Sequence, residues 1–287
     1  MKKNLALSIA LVLVLIISGC GNKNNESSNA AKESPLIESA SANLEKPIKV
    51  KKVIVGTTSS FPQVLFYDKD GKLTGYDIEL VREIDKRLPE YEFEFNVLDS
   101  LPSLLLSLDT KKIDMIAQEI EKTPEREEKY LFNKVPYAYW QNKIVVAKDN
   151  NDPIKSLDDI KGKKFLTYPS SAAEQILLKY NKDHNDAINL VYTSGAANDT
   201  AEQIASGRVY GTLTADFSLS LIDPQGKLKA VGEPLSKAEI LFLFAQNDPE
   251  KQALADAIDK ALLEIKGDGT LSALSKQWLG QDFTTVE

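Results

Sequence analysis

Arg126 is the residue best placed by its surroundings to seize an anion. It stands in Thr123-Pro124-Glu125-Arg126, directly after a short apolar run, Ile113 to Ala117, and the polar stretch that follows it. Pro124 fixes its own φ and pushes Thr123 towards extended geometry, so the chain leaves a strand through a turn and Arg126 lies one step beyond it. That places a guanidinium near the carboxyl edge of a sheet, the edge where open α/β sheets bind ligands. A planar five-donor fork there suits a carboxylate held through two parallel bonds. The residues alone leave a second reading open, in which Arg126 pairs with an acidic neighbour on a solvated surface.

Other candidates are weaker by themselves. Ser170-Ser171 ends a strand and opens a helix, a place where free N–H groups and the positive dipole end can receive a carboxylate; a plain N-cap explains the same residues. Phe61 sits at the mouth of the polar loop Thr57 to Ser60, where it packs on a ligand or caps the core. Covalent chemistry finds little to work with. The single histidine, His184, lies in a loop-like Asn181 to Asn185 segment, the single cysteine is Cys20, and no Gly-x-Ser-x-Gly elbow or zinc-ligand cluster occurs. No catalytic residue, metal or cofactor is expected, and a binding protein is favoured over an enzyme.

The elements that must position these groups alternate. Val53 to Gly56 reads as a strand, Gly75 to about Leu88 runs into a helix with Ile78, Val81, Ile84 and Leu88 on one face, and Tyr91 to Val97 alternates as a half-buried strand. A short helix at 102–108 then leads into the Ile113 strand. A second series follows: strands at 144–147, 163–168, 190–192, 209–213 and 240–245, with helices at 172–180 and 199–206. Strand and helix in turn predict an α/β architecture of mainly parallel sheets with right-handed crossovers. Lys251 to Lys266 is amphipathic, and a closing helix carries Leu271, Leu274 and Trp278. A loose internal echo between residues 104–120 and 201–217 suggests two similar lobes facing one cleft, with Thr214 and Asp216 mirroring Glu119 and Glu121.

The chain has 287 residues, 43% apolar and 27% charged, which is more than one ordinary core. Its amino terminus differs from the rest: Lys2 and Lys3 precede an apolar run from Leu5 to Ile17, too short for a comfortable membrane span and followed by small residues. The formal net charge of −7, lower still once Lys2 and Lys3 are removed, argues against nucleic acid as a partner. Residues 21–46 are polar and aperiodic, a tether.

Several motifs carry a resemblance. Gly75-Tyr76-Asp77-Ile78-Glu79-Leu80, Lys112-Ile113-Asp114, Thr123-Pro124-Glu125-Arg126, Val135-Pro136-Tyr137, Gly162-Lys163-Lys164, Gly207-Arg208 and Asp268-Gly269-Thr270-Leu271 occur in the order seen in polar amino-acid-binding proteins of ABC importers. Within that family, Ala117 to Phe132, Asn198-Asp199-Thr200 and Trp278-Leu279-Gly280 are most similar to the L-cystine-binding lipoproteins of Gram-positive bacteria. The resemblance implies a two-lobed, type II periplasmic-binding-protein-like fold, with 51–138 and 241–287 as lobe 1, 139–240 as lobe 2, and two hinge crossings. It implies a ligand cleft between the lobes, an ABC permease as partner and closure around an amino acid. Ile17-Ser18-Gly19-Cys20 resembles a bacterial lipobox, which implies a signal peptide at 1–19, lipidation of Cys20, a tether to residue 50 and anchoring at the outer face of the membrane; a monomer is expected.

By the same resemblance Arg126 binds the ligand α-carboxylate, helped by backbone N–H groups near Ser171 and Ala172. Phe61 covers the ligand and Thr58 lines the rim. Relatives place an acid just after the Val209 strand to hold the α-ammonium, but the aligned residue here is Ala215, so the role falls to Asp216, Glu119 or Glu121. Those lipoproteins also carry Gln-x-Glu-Lys where this chain has Glu119-Ile120-Glu121-Lys122, so an added charge stands beside the expected ligand. Another amino acid, a sulfur compound or a ligand-sensing role are the competing readings.

Overall fold

In the computed structural model, residues 49–193 and 197–285 are described; the expected signal peptide, Cys20 and almost all of the tether lie outside them. Strand β1 (Lys51–Thr57) enters the sheet, and three short strands, β2 (Ser60–Phe61), β3 (Leu65–Tyr67) and β4 (Leu73–Thr74), form a small antiparallel sheet before α1 (Tyr76–Asp85). Then come β5 (Tyr91–Val97), α2 (Leu101–Asp109), β6 (Met115–Glu121), α3 (Pro124–Glu127), β7 (Tyr130–Phe132) and β8 (Ala138–Ala147). The next series is β9 (Lys164–Thr167), α4 (Ala172–Asp183), β10 (Asn189–Tyr192), α5 (Ala197–Ala205), β11 (Gly211–Ala215) and α6 (Leu219–Ile222). The long β12 (Leu228–Ala245), α7 (Pro249–Gly267) and α8 (Thr270–Leu279) close the chain.

The strands lie in the order β10-β9-β11-β8-β12-β6-β1-β5, with β7 added beside β12. The outer pairs are parallel: β1 with β5 and β6, and β9 with β10 and β11. The middle is not. β8 and β12 run antiparallel to each other, and each is antiparallel to its neighbour on the far side, β11 and β6 respectively. Strand and helix alternation predicted the parallel flanks; the two antiparallel strands that join them have no crossover helix to announce them.

Each flank is covered on both faces. Val53, Val55, Ile78 and Ile84 pack with Ile258, Leu262 and Leu271, so α7 and α8 return to the elements that open the chain. The other face holds Leu104, Leu108, Ile113 and Leu243. On the far flank, Ile144, Ile160, Phe165 and Leu177 fill one face and Val145, Leu166, Ile204 and Val209 the other. Adjacent residues Ile144 and Val145 face opposite layers, as a strand buried on both sides requires. The arrangement is the two-lobed α/β architecture that the motifs imply.

Several boundaries move for physical reasons. β12 continues backwards from the predicted 240–245 through Gly232 and Pro234, because the shift in register between Val231 and Ser236 absorbs both within the strand. β8 likewise starts at Ala138. No helix among the described residues is long and apolar enough to cross a membrane.

Candidate ligand cleft

The site starts from a glycine. Gly75 has φ 121, and a Cβ there would lie 2.3 Å from the Val64 carbonyl oxygen, so only glycine lets the chain turn into α1 this close to the small sheet. Tyr76 then buries its ring and donates its hydroxyl to the Tyr137 carbonyl at 2.8 Å. Asp77, fully buried, projects its carboxylate to β6, where Oδ2 accepts the Glu119 N–H at 2.7 Å and the Tyr137 hydroxyl at 3.1 Å. The Gly-Tyr-Asp motif thus fixes the shape of β6 across the interior.

That shape is irregular. Between Ile116 and Ile120, β6 carries more residues than the facing stretch of β12, and Glu119 sits at φ 48. A bulge of this kind re-aims side chains. It turns Gln118, Glu119 and Glu121 towards a cavity of about 450 Å³, a volume that accommodates a small-molecule ligand. Gln118 Oε1 accepts the Thr58 N–H at 2.9 Å, which joins the Thr57–Ser60 loop to the same floor.

Arg126 follows from the cap. Thr123 accepts the Arg126 N–H on its side-chain oxygen at 3.3 Å, Pro124 opens α3, and the guanidinium points inward, 6% exposed. Nη1 donates to the Glu121 carbonyl at 2.7 Å and Nη2 to the Ser170 carbonyl at 2.9 Å. One fork therefore grips the end of β6 and the turn before α4 together. Burial draws its pKa down, and the nearby Glu121 charge pulls it back up. The surface ion pair considered from the residues alone is not what the structure contains.

The expected site residues divide. Thr58, Phe61, Glu119, Glu121, Arg126, Ser171, Ala172 and Thr214 line the cavity; Ser170 and Asp216 are not part of its lining. Ser170 adopts φ 64, gives its N–H to Glu174 and contributes its carbonyl to Arg126. Asp216 accepts the Phe217 N–H at 2.9 Å and faces the Gln141 N–H, which holds the turn after β11. Glu121 lines the cavity, but its carboxylate is already engaged by the Trp140 Nε1–H at 3.1 Å and by Asn142 Nδ2 at 2.9 and 3.0 Å. Of the three acids considered for an ammonium, Glu119 alone lines the cavity with a carboxyl oxygen, Oε1, that is buried and has no hydrogen-bond partner. Burial first, then the Asp77 and Glu121 charges, raise its pKa well above the usual range; burial also raises that of Asp77, against the pull of its two hydrogen bonds.

At α4, Ser171 caps Glu174 and its own N–H is taken by Tyr168. The unpaired donors thus begin one residue later than expected, at Ala172 and Ala173, which both line the cavity and whose N–H groups have no intrahelical acceptor. Phe61 meets Phe217 from the other flank with ring centroids 6.0 Å apart, and Phe217 packs on Trp140 at 4.6 Å. The sequence carries a signal for Trp140 and Asn142. Extended backwards, the alternation that buries Ile144 in β8 lands on Asn142, Trp140 and Ala138, all buried.

Among the described residues lining the cavity, Arg126 is the only cation, set against Asp99, Glu119 and Glu121. The arrangement offers one anion clamp, acidic surroundings and aromatic walls, with no histidine or cysteine in its lining.

Comparison with known proteins identifies the family and the fold. The profile of bacterial extracellular solute-binding proteins, family 3, matches residues 53–281. The L-cystine-binding protein TcyK of Bacillus subtilis is 39% identical over 284 residues, covering 98% of this chain and 97% of its own. A solved structure from Listeria monocytogenes, provisionally named for an L-cystine ABC transporter, superposes with a TM-score of 0.76 at 39% identity, over 82% of this chain and 99% of that one. Another, from work on glutathione import via GshT and the cystine ABC importer TcyBC of Streptococcus mutans, gives 0.74 at 29% identity, over 83% and 98%.

Proposed function

The chain belongs to the bacterial extracellular solute-binding proteins, family 3, and from that membership we propose that it captures an amino acid, L-cystine before others, for delivery to the permease of an ABC importer. The observation that carries this reading is Arg126, the buried cation of the cavity, held between the end of β6 and the turn before α4. Donors of the fork that remain free, with the Ala172 and Ala173 N–H groups, receive the ligand carboxylate. Thr58 and Phe61 close over it from one side, and Thr214 lines the other.

A ligand that touches both flanks favours the closed state by the difference in contact between open and closed forms. The lobes run 51–138 with 241–287, and 139–240, joined along β8 and β12. L-cystine suits such a cavity because it carries an amino-acid head at each end, and TcyK is named for the same ligand. Around this body, the segment 1–19 acts as an export signal and Cys20 carries the lipid that holds a monomer at the outer face of the membrane. The protein binds and releases its ligand without chemical conversion.

Thermal shifts test the ligand. The assay compares L-cystine, the common amino acids and reduced glutathione, the last because of the Streptococcus neighbour. A ligand at about 100 times its dissociation constant adds roughly 2.7 kcal/mol to the folded state. L-cystine is expected to produce the largest shift; a larger one from another compound replaces it as the cargo.

A further inference from the structure

Glu119 presents a feature that carboxylate capture leaves unexplained. A glutamate rarely adopts positive φ, yet here φ is 48, and the turn is held by its N–H bond to Asp77 Oδ2 at 2.7 Å. The fold thus spends one buried acid, Asp77, on aiming another at the cavity. Oxygen atoms on both acids, Asp77 Oδ1 and Glu119 Oε1, are buried without a partner, and so is the hydroxyl of Thr58, 3% exposed in the same lining. The groups facing Glu119 are Asp77 from α1, Glu121 from its own strand and Tyr137 from the segment before β8. Two are acids and none is a cation. Arg126 already spends two donors on the carbonyls of Glu121 and Ser170.

Buried acceptors with no donor call for a partner that brings several N–H groups and positive charge. An ammonium is such a group. Two neighbouring carboxylates in a dry site do not both ionise, so the pair keeps a proton until a cation arrives. Glu121 is committed to Trp140 and Asn142, and Asp216 to the turn after β11.

We propose that Glu119, with the Thr58 hydroxyl, receives the ligand's ammonium group, and that the ammonium displaces into solvent a proton that the buried pair Glu119 and Asp77 retains in the ligand-free cleft. Capture is then an exchange of one cation for another, with the carboxyl O–H bond broken heterolytically and its proton taken up by water or buffer. The proposal rests on the amino-acid reading above and specifies its amine end. Burial and the Asp77 charge, which hold the Glu119 carboxyl above its usual range, act in the same direction. A cation that competes with a proton binds more tightly as pH rises, by up to about tenfold per unit below the titration of the empty pair, and levels off above it.

The test titrates the protein with L-cystine between about pH 5 and about pH 6.5, where its own amino groups remain charged. Trp140, which lines the cavity, reports binding by fluorescence, and calorimetry in buffers of unlike ionisation heat counts protons. Release approaching one proton per ligand and affinity rising with pH are expected. Glu119→Gln should bind about tenfold more weakly or worse, with a flat pH profile. Asp77→Asn retains an acceptor for the Glu119 N–H and should move the transition to lower pH. Dithiodipropionate, which is cystine without its amino groups, should release no proton. Wild-type binding of L-cystine with no proton release, or an unchanged pH profile in Glu119→Gln, overturns the inference and leaves the amino-acid reading standing. Failure of the wild type to bind any amino acid overturns that reading, and this inference with it.

Discussion

Replacing Arg126 by lysine separates the charge of the clamp from its shape. The guanidinium spans two carbonyls, Glu121 at 2.7 Å and Ser170 at 2.9 Å, and must still present donors to a ligand carboxylate. A lysine keeps the positive charge but ends in one compact ammonium, which cannot hold two separated carbonyls and a planar carboxylate together. At least one charge-assisted hydrogen bond is lost, about 1.5 to 3 kcal/mol, which corresponds to roughly 10- to 150-fold in affinity. Alanine removes every bond of the fork and leaves both carbonyls without their partner, so Arg126→Ala should weaken binding by at least as much. Fluorescence titration of each variant with L-cystine, beside a urea melt to separate folding from binding, measures both. A lysine variant within about twofold of the wild type would refute the assignment of the fork's geometry, because charge alone would then suffice.

Two further outcomes follow from the support beneath the cleft. Asp77 has its pKa raised by burial, so the folded state holds this proton more firmly than the unfolded one; its contribution is fully present at low pH and is lost as pH rises above the ordinary carboxylate range. In thermal melts of ligand-free protein, Asp77→Asn should flatten that decline between about pH 4 and about pH 7, and an equally steep decline in the variant counts against it. Gly75→Ala places a Cβ 2.3 Å from the Val64 carbonyl oxygen at φ 121; the strain alone is about 1 to 3 kcal/mol, and an unchanged urea midpoint would show that the turn relaxes freely.

Much of this molecule is legible before folding. Alternation at Tyr91–Val97 predicts β5 to the residue, and the apolar stripe from Leu254 to Ile265 predicts α7 to within two residues at its start. These elements are set by a periodic buried face, which sequence records directly. Other elements are set by their neighbours. The apolar run of β6 stops at Ala117, which predicts the end of a strand there, but the strand continues to Glu121 because Asp77 and β12 supply partners for its polar residues. Residues 232–238, with their proline and small polar side chains, read as lying outside any strand, yet all belong to β12: 232–235 fall in its register shift and 236–238 pair with β8.

The site divides the same way. Thr123-Pro124-Glu125-Arg126 announces a turn that presents a cation, because capping and the proline act within a few residues. The sequence also supplied the acids, but which of them is free depends on partners far along the chain. Trp140 and Asn142 engage Glu121, the Phe217 N–H bonds to Asp216, and Asp77 aims Glu119 from 42 residues away. A hydrogen bond has a range of one contact, so composition and spacing determine which groups exist and which faces are buried. Only the folded chain decides which acceptors remain unpaired, and those are the ones a ligand can use.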